Sequence, residues 1–297
     1  MDSAAHPQAN TQAYPVTKPV LSLVIPCKGR LAQLQQSLPR LLKQSAGTTA
    51  PGTLLQSIVV DYNCPEHCGD WVRQNHPAAL VAHVPQVADF NTACARNTGA
   101  RHATAPWIGF VDADVLLAPG FLAAVLPKLI DNTVLLAPAG TYDLGGFVIC
   151  PTAMFHTLGG YDETYEGWGC EDRDFQLRLT AFGGLPEVLP AHLMSGISHP
   201  DADRTRFHEV QDRFLSLRIN ALYSQAKTDL ARQRGILQLA DQERAHLYAR
   251  VKAAVMANPE APAMLDIALP PSNDVVTPPG WQLTRQWVYR FSPNPLL

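Results

Sequence analysis

The apolar positions between Val20 and Ala137 alternate between short continuous runs and helical spacing. The continuous runs predict four strands, at Leu21–Ile25, Ser57–Asp61, Leu80–Val84 and Trp107–Val111. The segments between them predict helices, at Leu31–Lys43 and Asn91–His102. Strands that are apolar on both faces and separated by helices predict an α/β fold with a mostly parallel central sheet flanked by helices.

The second half of the chain predicts fewer strands and more helices. Gly145–Pro151 predicts a strand with a short helix after it, and Glu171–Phe182 predicts a helix. Helical patterns follow after Asp203 and over Gln238–Met256. We expect a disordered N-terminus (1–18) and a main domain (19–223) with two halves, 19–115 and 116–223. The rest (224–297) is a helical extension with a Pro-rich linker and an aromatic tail that docks on the body or on a second subunit.

Composition narrows the classes of function. The chain has 297 residues, 46% of them hydrophobic, and a formal net charge of −3. Lys and Arg form no basic stripe, so we do not expect a nucleic-acid partner. The N-terminus has no pattern of a secretory signal, and no apolar run reaches membrane-spanning length. We expect a soluble, cytoplasmic protein.

The six cysteines suit an intracellular chain with free thiols. Cys64 and Cys68 flank Pro65, Glu66 and His67 in a spacing that resembles a metal clip. No second pair completes a zinc site along the sequence. The interpretation favoured by the sequence is therefore that these thiols are structural.

Carboxylates follow two of the predicted strands. Asp61 ends the second strand, and Asp112 and Asp114 follow the fourth. The carboxyl ends of parallel strands form the crevice in which nucleotides bind. Two aspartates separated by one residue can present oxygens to Mg²⁺ or Mn²⁺, which also bind substrate phosphates. The same spacing is common in turns and caps, and only its position at a strand end favours a metal site.

The segment Gly159–Asp174 places glycines, Tyr161, Tyr165 and Trp168 against a run of carboxylates. Buried carboxylates need a cation, a metal or a chemical role. The first turn of a helix explains one or two of them through the dipole. An aromatic wall beside carboxylate acceptors suits a sugar. Asp172 is the candidate general base that deprotonates an acceptor hydroxyl, and Glu171 could hold acceptor hydroxyls.

These motifs together resemble the GT-A fold glycosyltransferases of family 2, and the second half resembles the C-terminal catalytic region of β-1,4-galactosyltransferases. The resemblance covers roughly Pro19 to Phe214 and rests on Asp112-Ala113-Asp114, Gly167-Trp168-Gly169, Glu171-Asp172 and a downstream histidine, His199. Glu166 replaces a tryptophan of the galactosyltransferases, and Cys170 replaces a glycine.

The resemblance implies that 19–223 is a catalytic domain whose halves, 19–115 and 116–223, bind nucleotide and acceptor, and it implies roles for individual residues. Asp114, His199 and Asp112 would hold Mn²⁺ or Mg²⁺, and Asp172 would be the catalytic base. The acceptor site would contain Tyr165, Trp168, Gly169 and Glu171. The nucleotide-sugar site would contain Pro26, Lys28, Arg30, Asp61, Phe90, Asn91, Arg96, Asn97, Asp112 and Gly146.

The implied activity is metal-dependent, inverting transfer of a sugar of the galactose, N-acetylgalactosamine or glucose type from a UDP-sugar donor. The acceptor would be a glycan, a lipid-linked intermediate of polysaccharide biosynthesis or a small molecule. Peripheral contact with the inner face of a membrane and a homodimer stay open at this point.

Two other functions stay open beside it. A sugar-phosphate nucleotidyltransferase also combines a nucleotide fold with acidic metal ligands, although Cys27-Lys28-Gly29-Arg30 is poor in glycine for its activating loop. A non-catalytic carbohydrate-binding protein on a transferase fold is the second. The sequence contains neither the Gly-x-Gly-x-x-Gly of dinucleotide enzymes, nor a phosphate loop ending in Gly-Lys-Ser/Thr, nor a Gly-x-Ser-x-Gly elbow.

Overall fold

The computed structural model describes residues 18–44, 54–138, 144–200, 202–257, 259, 262–269 and 284–292. The predicted disorder of the N-terminus falls outside these ranges, apart from Lys18. Trp281 and most of the Pro-rich linker also lie outside the described residues.

The described strands are short except at the ends of the chain. They are β1 Leu21–Cys27, β2 Leu55–Asp61, β3 Leu80–His83, β4 Trp107–Phe110, β5 Val115–Leu117, β6 Thr133–Leu136, β7 Val148–Pro151, β8 Leu185–Val188, β9 Met194–Gly196, β10 Ala263–Leu269 and β11 Arg285–Phe291. The helices are α1 Leu31–Lys43, α2 Cys68–Asn75, α3 Thr92–Ala100, α4 Phe121–Val125, α5 Thr152–Thr157, α6 Glu171–Ala181, α7 Ala202–Thr205, α8 Arg213–Gln233 and α9 Asp241–Met256.

A seven-stranded sheet with the order β3-β2-β1-β4-β7-β6-β8 forms the centre of the molecule. β1, β2, β3 and β4 are parallel, β7 is antiparallel to both β4 and β6, and β8 is parallel to β6. The predicted α/β class with a mostly parallel sheet is therefore confirmed. β5 and β9 form a separate antiparallel pair beside it.

The sheet buries side chains on both faces, as its continuous apolar strands predict. Leu23 of β1 packs in one core with Leu34 and Leu38 of α1. Its neighbour Val24 packs in the opposite core with Ala93 and Ala95 of α3. Successive side chains of a strand point to opposite faces, so β1 contributes to both layers and holds α1 and α3 on either side of the sheet.

The C-terminal part forms a third core from α8, α9 and a two-stranded ribbon, in which β10 pairs antiparallel with β11. Trp287, Tyr289 and Phe291 of β11 pack against this core, which is the first of the two positions predicted for the aromatic tail. The prediction of a linker over Pro259–Pro279 is corrected by β10, whose Ala263, Leu265 and Ile267 alternate into the core.

Two further findings concern domain limits and membranes. The predicted boundary after Tyr223 falls inside α8, which continues from Arg213 to Gln233. Among the described helices, none combines the length and the apolar character needed to cross a bilayer.

Candidate active site

One cavity at the carboxyl edge of the sheet collects most of the predicted site residues. Its walls come from the turns after β1 and β4, the start of α6 and the segment after β9. The predicted residues that line it are Pro26, Lys28, Arg30, Phe90, Arg96, Asp112, Asp114, Gly146, Trp168, Gly169, Glu171, Asp172 and His199.

The buried guanidinium of Arg96 organises the carboxylates of this cavity. Its Nη2 donates to Asp112 Oδ1 at 2.9 Å, and its Nη1 donates to Asp172 Oδ1 and lies 3.4 Å from Glu171 Oε1. The Arg96 side chain is only 1% exposed, so its contacts replace water as the source of charge compensation. Arg96 on α3 therefore joins the aspartate after β4 to the acidic start of α6.

Burial and the neighbouring charges shift the pKa values of both Glu171 and Asp172. Burial and the neighbouring Asp172 raise the pKa of Glu171 to about 8, although Arg96 acts in the opposite direction. Burial also raises the pKa of Asp172, again opposed by Arg96 and reinforced by Asp112. Carboxyls whose pKa is displaced toward neutrality in a cavity are suited to proton transfer near pH 7.

Close approach of the backbone at Gly146 protects the Arg96–Asp112 pair. A Cβ at this position would lie 2.4 Å from Arg96 Nη2 and 2.6 Å from Asp112 Oδ2. Both contacts are shorter than van der Waals separation, so a side chain here would displace one partner of the pair. Glycine is therefore required here by the Arg96–Asp112 pair, and contact of Gly146 with a donor stays a prediction.

Asp114 and His199 meet although 85 residues separate them: His199 Nε2 lies 2.9 Å from Asp114 Oδ2. The β5–β9 ladder brings them together, since Val115 pairs with Gly196 and the Ile197 N–H donates to the Asp114 carbonyl at 2.7 Å. Burial and the nearby Asp112 raise the pKa of Asp114, against the effect of His199. This carboxylate therefore lacks full charge compensation.

The Asp114–His199 pair fits a small divalent ion. Two adjacent ligands of an octahedral ion, each at about 2.1 Å, lie about 3 Å apart, and the two donor atoms here are 2.9 Å apart. A carboxylate is a suitable ligand for Mn²⁺, and imidazole is a common ligand of first-row divalent metal ions. Asp112, the third predicted ligand, is turned toward Arg96 and, within the described ranges, completes no three-donor cluster with the pair.

Helix α8 holds the loop that carries Trp168. The Trp168 N–H donates to Ser216 Oγ at 2.7 Å, and Asn220 Nδ2 donates to the carbonyls of Glu166, Trp168 and Gly169. The loop has positive φ at Gly167 (71°) and Gly169 (96°), the left-handed region that favours glycine. Ser216 and Asn220 were not predicted, because their role depends on the docking of α8.

Asp61 lies at the predicted strand end but outside the cavity. Its Oδ1 accepts from the Cys64 N–H at 2.9 Å, and its Oδ2 lies 3.2 Å from His83 Nδ1. The side chain is buried, and in this arrangement it fixes the loop after β2.

Asn91, Asn97 and Tyr165 also lie outside the cavity. Asn91 caps α3 through the Cys94 N–H and donates to the Glu163 and Tyr165 carbonyls. Asn97 exchanges hydrogen bonds with the backbone of Tyr161. Tyr165 is 3% exposed and packs edge-to-face on Tyr223, with the ring centroids 4.9 Å apart. All three side chains hold the 161–165 segment in place.

The segment from α7 to His208 supplies cavity residues that the sequence did not indicate. Asp203, Arg204, Phe207 and His208 line the wall next to the turn after β1. Arg30 Nη2 donates to the Asp203 carbonyl at 2.9 Å, and the Phe90 N–H donates to the Phe207 carbonyl at 2.7 Å. No local motif marks this segment, so only tertiary contacts reveal it.

A family model described as glycosyl transferase family 2 matches residues 22–172, about half of the chain. The chain belongs to glycosyltransferase family 2. The matched region extends from β1 to the first turn of α6 and contains Arg96, Asp114 and Asp172. The family part of the resemblance is thereby confirmed, while His199 and α8 lie beyond the matched region.

Curated relatives include two proteins named validoxylamine A glucosyltransferase. The protein from Streptomyces hygroscopicus subsp. limoneus is 29% identical over 224 residues, covering 56% of this chain and 49% of the relative. The protein from subsp. jinggangensis (strain 5008) is 28% identical, covering 56% of this chain and 52% of the relative. The chain spans about half the length of these relatives.

Solved structures with the same fold include a mannosyltransferase from Pyrobaculum calidifontis in complex with GDP-Man and Mn²⁺. It has a TM-score of 0.53 and 17% identity, covering 83% of this chain and 79% of that chain. S. aureus TarS 1-349 in complex with UDP-GlcNAc has a TM-score of 0.54 and 15% identity, covering 80% and 73%. At this identity the likeness shows the GT-A fold alone.

Proposed function

We propose that this protein is a metal-assisted, inverting glycosyltransferase that moves a sugar from a UDP-sugar to a hydroxyl of a glycan or other acceptor. The observation that carries the proposal is that one cavity holds Asp172, the Asp114–His199 pair and Trp168 together. These groups correspond to a base, a metal ligand pair and an aromatic surface for a sugar ring. Membership of family 2 supports the same reaction class.

Asp114 and His199 would hold Mn²⁺ or Mg²⁺, and the bound ion would offset the charge of the departing diphosphate. Lys28 and Arg30, on the same side of the cavity, would add positive charge near the phosphates. Arg30 is steadied by its hydrogen bond to the Asp203 carbonyl. Burial lowers the pKa of Lys28, while Asp89, Cys64 and Asp61 act to raise it.

Asp172 would remove the proton from the attacking acceptor hydroxyl. A single displacement from the face opposite the diphosphate inverts the anomeric centre, and it needs one base on the acceptor side. Arg96 holds Asp172 Oδ1, and the Asp172 side chain is 26% exposed to the cavity. Arg96 is thus a positioning residue that aims the carboxylate and lowers its pKa.

Trp168 and Gly169 would bind the acceptor sugar beside Glu171. The Trp168 backbone is fixed by Ser216 and Asn220, and Arg213 lies 5.2 Å from the centre of its ring. A rigid aromatic surface binds a sugar ring with little loss of conformational entropy. At the pKa of about 8 given by burial and Asp172, Glu171 is largely protonated at pH 7 and can donate a hydrogen bond to the acceptor.

The donor sugar is proposed from the relatives. Both curated relatives are named glucosyltransferases, which favours UDP-glucose among the glucose, galactose and N-acetylgalactosamine donors. The uridine would lie along Pro26 and Phe90, which line the cavity beyond Lys28.

The test is UDP release from UDP-glucose, UDP-galactose and UDP-N-acetylgalactosamine, with a panel of acceptors and Mn²⁺. We expect Asp172→Asn to lower turnover by about 10²- to 10⁴-fold, the usual contribution of a general base, with UDP binding unchanged. Arg173→Gln, an exposed neighbour on α6, is the matched control. Turnover by Asp172→Asn equal to that of the control would remove Asp172 from this role.

A further inference from the structure

Three buried thiols converge behind the turn that carries Lys28 and Arg30. The sulfur atoms of Cys27, Cys64 and Cys68 all lie within 4.8 Å of one another. Cys27 ends β1, Cys64 lies in the loop after β2, and Cys68 begins α2. Among the described residues, no other group of three or more His, Cys, Asp or Glu side chains converges in this way.

We propose that Cys27, Cys64 and Cys68 form a three-thiolate site for a soft divalent cation of the Zn²⁺ type. Thiolates select zinc and related soft ions, whereas Mn²⁺ and Mg²⁺ prefer oxygen ligands. The site is therefore chemically distinct from the Asp114–His199 pair. It is also independent of the proposed transferase activity.

The spacing of the sulfurs is close to what such an ion requires. Zinc–sulfur bonds of about 2.3 Å in tetrahedral geometry place the sulfurs about 3.8 Å apart. The observed limit of 4.8 Å leaves a contraction of about 1 Å, which side-chain rotation can supply. The three residues supply three ligands, and water or another small donor can take the fourth position.

The surroundings of the cluster favour a negatively charged sulfur. The Gly29 N–H donates to Cys64 Sγ at 3.2 Å, and such a donor stabilises a thiolate. Binding releases one proton from each thiol, so a divalent ion with three thiolates carries a net charge of −1. A monovalent ion such as Cu⁺ would leave −2 in a buried place, which costs more.

Backbone contacts have already brought the three segments together. The Tyr62 N–H donates to the Cys27 carbonyl at 3.1 Å, and the Cys64 N–H donates to Asp61 Oδ1 at 2.9 Å. A preformed arrangement lowers the entropy cost of binding. A bound ion would tie the Lys28–Arg30 turn to the start of α2, and so stiffen the side of the cavity that carries these two cations.

The sequence did not predict this site because its third ligand is distant. Cys64 and Cys68 are four residues apart and resemble a clip, but Cys27 reaches them only through the parallel pairing of β1 and β2, in which Cys27 is the partner of Asp61. His67, the other candidate in the clip, is exposed and lies away from the sulfurs.

The test uses the full chain, stripped of metal under reducing conditions and titrated with Co²⁺ and then Zn²⁺. We expect a thiolate-to-cobalt charge-transfer absorption that Zn²⁺ abolishes at one equivalent, in wild type and in Asp114→Ala alike. Cys64→Ser should lose the absorption and weaken Zn²⁺ binding by more than the about 10- to 100-fold cost of losing a residue that only orients a ligand.

Cys94→Ser and Cys150→Ala, thiols outside the cluster, are the matched controls and should keep the absorption. The wild-type spectrum needs no variant to fold, so it decides the proposal even if Cys64→Ser is unstable. A wild-type protein without charge-transfer absorption would overturn the proposal, as would an absorption that persists in a folded Cys64→Ser variant.

Discussion

Arg96 is the residue on which the charge balance of the candidate site depends. It lies between three carboxylates that come from the loop after β4 and from the first turn of α6. Without this cation, nothing would offset the mutual repulsion of these carboxylates or the effect of burial, both of which disfavour ionisation. Arg96 therefore favours the ionised form of Asp172, the proposed base, beside Asp112 and Glu171.

Replacing Arg96 by Met should shift the pH dependence of the reaction. Arg96 lowers the pKa of Asp172, so its removal keeps the base protonated to higher pH. We expect the acid limb of the kcat/KM profile to move upward by about one to three pH units, the usual effect of an adjacent arginine. Arg96→Lys, which keeps the charge, should move it less. An unchanged acid limb in Arg96→Met would contradict this role.

For single residues, the sequence indicated which side chains have a chemical role better than it indicated which contacts they make. The spacing of Asp112 and Asp114, the Trp168 loop and Glu171-Asp172 led to residues that the structure places in one cavity. Asn91, Asn97 and Tyr165 lie close along the chain to such residues but support the fold. A pattern of residue types does not say toward which side of a backbone each side chain turns, so these assignments needed the tertiary structure.

Helix α8 is the element that connects the C-terminal part to the candidate acceptor site. Its Ser216 and Asn220 hold the backbone of the 166–169 loop, and Asn220 also accepts from the Tyr248 hydroxyl of α9 at 2.9 Å. The position of Trp168 thus depends on two helices that lie outside the region matched by the family model.

Removing the Asn220 amide should weaken acceptor binding selectively. Asn220→Ala removes a donor from three carbonyls, of which those of Glu166 and Trp168 keep a second donor in the Tyr248 and Ser216 hydroxyls, so the 166–169 loop becomes less ordered. We expect KM for the acceptor to rise about tenfold, corresponding to the about 1.4 kcal/mol of one net hydrogen bond to a loop, with KM for the donor unchanged. Gln225→Ala, on the exposed face of α8, is the control.

Steady-state kinetics with each substrate varied in turn provides the measurement. If KM for donor and acceptor rises equally in Asn220→Ala, then α8 supports the whole cavity rather than the acceptor side.

The length of each apolar run explains which strands the sequence could predict. α1 has the predicted bounds, and β1 to β4 lie within two residues of them, because continuous apolar runs of four or more residues are strong signals. β5 and β9, of three residues each, gave no periodic signal. Their pairing nevertheless places His199 against Asp114. The resemblance therefore indicated that these two residues act together, but the sequence did not predict the two strands that bring them into contact.

At the scale of the whole molecule, a buried ion network joins α6 and the segment before the Trp168 loop to the C-terminal helices α8 and α9. Lys227 of α8 lies 2.7 Å from both Asp162 and Asp174, and Arg244 of α9 also pairs with Asp162. Burial alone would raise the pKa of Asp162, but Lys227 and Arg244 lower it to about 2. The network therefore links the segment before the Trp168 loop to α6, α8 and α9.

Replacing Lys227 by Met should destabilise the fold strongly. The change removes the ammonium shared by Asp162 and Asp174, which keep Arg244 and Arg178 as partners, and breaking a buried pair typically costs about 3–5 kcal/mol. Lys252→Met removes a half-buried cation that pairs with Glu166 and Glu209, and should cost about 0–1 kcal/mol. Urea unfolding at pH 7 compares the two free energies of unfolding. Equal decreases in the free energy of unfolding would show that the buried network stabilises the fold no more than a surface ion pair does.

The same network predicts that the stability of the folded protein decreases at low pH. Because the pKa of Asp162 in the folded protein is about 2, below the about 3.9 of an unfolded aspartate, its contribution is fully present above pH 4 and is lost as the pH falls toward 2. Thermal melts between pH 4 and pH 2 should show a decrease in the Tm of wild type. The decrease should be smaller in Lys227→Met, because its Asp162 has a higher pKa in the folded protein.

The measurement that tests the proposed metal-assisted UDP-sugar site most directly is calorimetric binding of UDP with and without Mn²⁺. We predict that wild type and Asp172→Asn bind UDP much more tightly when Mn²⁺ is present, and that Asp114→Ala and His199→Ala lose this dependence while still binding UDP weakly. If folded wild-type protein binds no nucleotide, or if Asp114→Ala keeps the full effect of Mn²⁺, the assignment of this cavity as a metal-assisted UDP-sugar site is contradicted.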